Sequence, residues 1–122
     1  MSETDDGSIK NEWSLLRRIH PAQIVPDNTG EPRVSSAAFK DVSMSVDVEE
    51  MLIANGIDWN FSLKQHPVHS LMRLLAAVPR SLQQAVVAVP IDGNPAHAEV
   101  RGDKTNAVAR SLSKAAEWVH RR

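Results

Sequence analysis

His97, Glu99 and Arg101 occupy alternate positions in Ala96-His-Ala-Glu-Val-Arg101. Alternate side chains of an extended chain share a face. An imidazole, a carboxylate and a guanidinium would therefore stand in a row, with His97 and Glu99 close enough to exchange a proton as a catalytic pair. A solvated strand face carrying a surface ion pair would show the same spacing. A second group is Arg17-Arg18-Ile-His20-Pro21 with Arg33 and Ser35-Ser36. Guanidinium, imidazole and hydroxyl groups of this kind hold phosphates and carboxylates. Arg17 and Arg18 would point to opposite faces of a strand, so only one of them can join such a site. The candidate anion ligands are Arg18, His20, Arg33, Ser35, Ser36 and Arg101. His66-Pro-Val-His69 could add two imidazoles to His97 around a zinc ion. Zinc signatures usually carry Cys, or two His one helical turn apart, so no metal site is assigned. There is no Gly-rich phosphate loop and no Gly-x-Ser-x-Gly elbow. No cofactor is implied.

These groups need elements to hold them. Ala85-Val-Val-Ala-Val-Pro90-Ile is apolar on both alternating faces, as a central strand covered on both sides would be. Asp92-Gly-Asn-Pro95 turns the chain into the 96–101 strand, predicting a hairpin with one polar face. Trp13 to Ile19 is short enough to fit a helix or a strand, and a strand is favoured. Residues 21–33 read as a Pro-rich connection with one extended piece at Gln23 to Val25, and Phe39 as a core anchor. Asp47-Val-Glu-Glu50 fits a capping box for a helix from Asp47 to Asn55, stopped by Gly56. Ile57, Trp59, Phe61 and Leu63 alternate with polar residues, predicting a half-buried strand. For residues 69–78 propensity favours a helix, while pairing with a neighbouring strand would favour extension. Val108, Leu112, Ala115, Ala116 and Val119 line one face of a C-terminal amphipathic helix capped by Thr105. The expected fold class is α+β, a mainly antiparallel sheet with that helix packed on it.

The chain has 122 residues, enough for one domain with its own core. Residues 1–11 are expected to be a disordered acidic tail, and residues 12–122 the domain. With no Cys, disulfides and thiolate chemistry are excluded. No apolar run reaches the roughly 18–20 residues that cross a bilayer. Fourteen Lys and Arg stand against fifteen Asp and Glu, so no global basic field attracts nucleic acid. A cytoplasmic protein is expected.

The stretches Arg17-Arg18-Ile-His20-Pro21, Arg33-Val-Ser-Ser-Ala-Ala-Phe39-Lys, Met44-Ser-Val46 and Asn94-Pro-Ala-His97-Ala-Glu-Val100 together resemble a family of small bacterial proteins of uncharacterised activity. The likeness covers about Leu15 to Gly102. A fainter resemblance is to ADP-ribosyltransferase-like domains. It implies a site with Arg18 on an early strand, Ser35 or Ser36 on a second, and Glu99 late in the chain. Two functions are therefore carried forward. One is a small bacterial binding or accessory module that meets a protein partner or itself, through the His97/Glu99/Arg101 face or an anchor at Trp118. The other is an enzyme acting on a nucleotide or another small anionic, phosphate-bearing ligand.

Overall fold

The computed structural model describes residues 5–122. Its strands are β1 (Ser14–Ile19), β2 (Ile24–Pro26), β3 (Pro32–Val34), β4 (Ser43–Val48), β5 (Ser70–Leu75), β6 (Ala85–Ala88), β7 (His97–Arg101) and β8 (Glu117–His120). The helices are α1 (Glu49–Ala54), α2 (Asn60–Leu63), α3 (Ala77–Ser81) and α4 (Asn106–Ala115), with short 3-10 turns at Pro21–Gln23 and Ser36–Phe39. Six strands form one antiparallel sheet in the order β6-β7-β4-β1-β5-β8, and β2 and β3 form a separate ribbon. The fold is α+β, as the sequence predicts.

Pairing fixes what each face carries. Leu15 lies opposite Val48 and Leu74, and Val100 opposite Met44 and Val86. These apolar residues form the main core with Ala109 and Leu112 of α4 and with Ala38 and Phe39 of the second 3-10 turn. The reverse face carries Leu16, Arg18, Asp47, Leu71, His97 and Glu99. There α1 and α2 set Leu52 and Leu63 over Leu16 and Leu71 as a smaller core. This second face is only partly roofed, and its open part is where the site lies.

Several local signals yield to tertiary ones. Residues 70–75 are extended because all six align with β1, which outweighs their helical propensity; the helix formers just after them make α3. The predicted strand at 57–63 is instead a turn leading into α2. Asp58 Oδ1 accepts from the Asn60 amide at 2.9 Å, a side-chain bond that competes with a ladder. The C-terminal helix ends at Ala115, and Glu117 to His120 turn extended to pair with the outer edge of β5. Trp118 is therefore a strand residue. The Asp47 capping box does not form: Val48 is the N-cap of α1 and Asp47 stays in β4.

The 85–88 strand is not central but an edge. Its apolar character is matched by the segment before β1, expected to be a free tail over residues 1–11. From Asp5 onward this segment is docked, and residues 1–4 lie outside the described residues. The Asp6 amide donates to the Val86 carbonyl at 2.8 Å, and Asp5 Oδ1 accepts from the Val86 amide at 2.8 Å. Ile9 is 1% exposed in the main core. Arg80 ties the segment down, donating to Asp5, Asn11 and the Asp6 carbonyl. An edge whose amides and carbonyls are met this way is shielded from further strands.

Candidate functional site

The open part of the second face contains a cleft of about 370 Å³ between the 61–66 segment and the β6–β7 turn, with Arg18, Asp47, His66 and His97 in its walls. The strands place these side chains. Asp47 pairs with Leu16 on one side and His97 on the other, so all three share a face, and Arg18 lies two residues beyond Leu16 on that same face. The turn is closed by Gly93, whose φ of 78° suits a residue without a Cβ.

Asp47 anchors the floor. It is 2% exposed and accepts from Ser62 Oγ at 2.5 Å and from Asn94 Nδ2 at 2.8 Å. Arg18 Nη1 stands 3.8 Å from its Oδ2. A buried carboxylate is tolerated only when its lone pairs are met in this manner. Ser62 comes from α2 and Asn94 from the turn, so this one residue joins both walls of the cleft. Asn94 is spent at its other end as well, with Oδ1 accepting from the Ala96 amide at 3.1 Å.

Arg18 is held loosely. Beyond Asp47 its one hydrogen bond among the described residues runs from Nη1 to the Ser62 carbonyl at 3.4 Å. A guanidinium has five N–H donors, so most of these remain for a ligand. Arg17 contrasts with it across the strand. That guanidinium donates to the Ala38 and Ser45 carbonyls at 3.1 and 2.9 Å and to Asp41 at 3.0 Å, so it serves as a structural plug. Burial lowers the Arg17 pKa from its ordinary value, against the pull of Asp41.

Three imidazoles form a chain that reaches the cleft at His66. The His20 and His69 rings meet edge to face at 5.3 Å, and His66 and His69 at 5.1 Å. Burial first, then the neighbouring positive charges, pushes the His69 pKa down; His66 is lowered by burial and by Arg18. Among the described residues no three His, Cys, Asp or Glu side chains converge so as to hold a metal ion. His97 Nδ1 lies 2.9 Å from the Val89 carbonyl. A carbonyl only accepts, so Nδ1 carries a proton, and in the neutral ring Nε2 keeps its lone pair.

The structure divides the residues that the sequence grouped. Arg18 and His97 share the cleft. Glu99 lies on the same face but accepts from Arg101 Nε at 2.8 Å and is not in the cleft wall, so the proposed His97/Glu99 pair does not assemble there. Arg101 faces a separate hollow with Gln84 and Asp103. His20 is exposed; its Nδ1 accepts from the Ala22 amide at 3.0 Å and caps the first 3-10 turn. Ser35 Oγ caps the second, accepting from the Ala37 amide at 3.2 Å. Arg33 and Ser36 lie across the sheet beside α4. The anion cluster of Arg18, His20, Arg33, Ser35 and Ser36 is thus split between two faces, and so is the triad of Arg18, Ser35 or Ser36, and Glu99 implied by the transferase resemblance. Asp47, Ser62 and Asn94 were missed as site residues. The alternation of Met44, Val46 and Val48 was the available signal, since it puts Asp47 on the face of His97. Compared with known proteins, the chain matches no family model, no curated protein and no solved structure.

Proposed function

We propose that this chain is a small binding module that takes a phosphate- or carboxylate-bearing ligand in the Arg18 cleft. The observation that carries the reading is the contrast at the cleft floor: Asp47 has its partners, while Arg18 beside it retains most of its donors and is half-buried. Lys64 at the rim adds a second cation. Charge-assisted hydrogen bonds to an anion at such a position contribute about 1.5–3 kcal/mol each. Arg18→Gln should therefore weaken binding of inorganic phosphate by about tenfold or more, whereas Arg33→Gln should leave the cleft's response intact. Amide chemical-shift titration with phosphate at low salt is the measurement. Shifts centred on Gly93 and His66 that vanish in Arg18→Gln are expected; unchanged shifts in that variant would refute the assignment.

An enzymatic reading rests on His97. Its oriented ring offers Nε2 as a base to a ligand hydroxyl or water in the cleft. On that reading His97→Gln retains phosphate binding and loses turnover of a phosphate ester. A wild-type protein that binds phosphate and turns over no ester leaves the binding module alone standing.

A further inference from the structure

Across the sheet from the Arg18 cleft lies a hollow of about 570 Å³, walled by Arg33 of β3, Ser36, Arg110 and Lys114 of α4, and Trp118 of β8. Its size falls within the roughly 300–1,000 Å³ typical of small-molecule sites. Among the described residues no carboxylate lines it. The Arg33, Arg110 and Lys114 side chains make no hydrogen bond or ion pair among the described residues, unlike Arg17, Arg73 and Arg80, each of which is matched to an acid. Arg110 and Lys114 stand one turn apart on α4, where like charges oppose the helix. In a chain whose net charge is only -1, Arg110 and Lys114, with Arg33 offset only at a distance by Asp27, create a local field in the hollow that an anion would relieve.

Trp118 narrows the class of anion. Its indole packs on the main core, and the Arg121 guanidinium lies over its ring at 5.9 Å from the centroid. Arg121 is itself exposed, so its guanidinium can swing off the ring and give that place to a base. A flat, polarisable surface beside a row of cations fits a planar base joined to phosphate better than phosphate alone. We propose that this hollow binds a nucleoside phosphate, the base against Trp118 and the phosphate among Arg33, Arg110 and Lys114. The site does not rest on the Arg18 cleft, which opens on the other face.

The same chemistry is offered by a free nucleotide and by a nucleotide unit of a single strand. The test titrates the full chain with AMP, with inorganic phosphate and with a short oligouridylate, following heat and tryptophan fluorescence. AMP should bind about tenfold more tightly than phosphate, the gain of one stacked base. Arg110→Gln/Lys114→Gln should lose about tenfold or more of the AMP affinity, and Trp118→Leu should erase the preference for AMP over phosphate. Both double-variant positions are exposed and the change removes a like-charge pair, so the fold is kept; a thermal melt verifies it. Oligouridylate binding more tightly than AMP, with a steep salt dependence, identifies a strand as the source; equal affinities identify the free nucleotide. Arg18→Gln should weaken only the phosphate held in the cleft and leave the AMP affinity read by tryptophan fluorescence unchanged, which separates this site from the cleft. AMP binding no tighter than phosphate, an unaltered double variant, or equal binding of an oligoglutamate would overturn the proposal.

Discussion

Asp47→Ala should destabilise the domain by about 2–4 kcal/mol, because removing the buried carboxylate leaves the Ser62 hydroxyl and the Asn94 amide without their acceptor. Ser62 Oγ, itself buried, would lose its acceptor, and Asn94 Nδ2 would lose the bond that ties the β6–β7 turn to β4. Arg18 is the least affected, since its guanidinium can swing toward water. The variant should also bind phosphate more weakly, the cleft having lost the residue that joins its two walls. Urea unfolding of Asp47→Ala beside Asp92→Ala decides the matter. Asp92 lines the same cleft but is exposed, so its loss should fall within about 0.5 kcal/mol of neutral. Equal midpoints for the two variants would mean that the buried carboxylate is not what holds the cleft together.

Leu112→Ala is the second large effect expected, about 2–5 kcal/mol for a side chain with no exposed area at the centre of the α4 stripe. Leu112 belongs to the core that Phe39, Ala38 and Ala109 share with Val86 and Val100. Its cavity would open between the helix, the second 3-10 turn and the sheet, a junction with little freedom to collapse. Ser113→Ala should lie within about 0.5 kcal/mol of neutral, its hydroxyl donating only to the Arg110 carbonyl one turn back. Against a total of about 5–15 kcal/mol for a small domain, the two midpoints in denaturant should be well separated. Similar midpoints would show that α4 packs by another face.

The α+β class and the 85–101 hairpin were legible because each rests on short-range pattern: alternation, an Asp-Gly turn and one amphipathic stripe. Even there the pairing partners were not visible. Val86, and not Val87, faces α4, since the register with Val100 decides the side. The stripe of α4 was read one step askew, with Ala109 buried and Ala115 exposed. Residues 70–75 and 117–120 have no local feature that overrides their helical pattern; the neighbouring edges of β1 and β5 supply it from elsewhere in the chain. At the site the failure was of the same kind. Asp47 looked like a helix cap because Glu50 follows it three residues later, yet Glu50 Oε1 accepts from the Ser14 amide at 2.8 Å and Glu49 grips Arg73. Those partners are distant in sequence, and nothing local announces them.

The strand order also governs how the chain finds its fold. Within the six-stranded sheet only β6 and β7 are consecutive neighbours; every other pairing, including both partners of β1, joins strands with further elements between them. Loop-closure entropy must be met before such contacts give anything back, so contact order is high and folding is expected on the millisecond-to-second scale typical of β-rich topologies. With β1 first in sequence yet interior in the sheet, a nascent chain carries an uncompleted apolar strand until β4 and β5 have both been made.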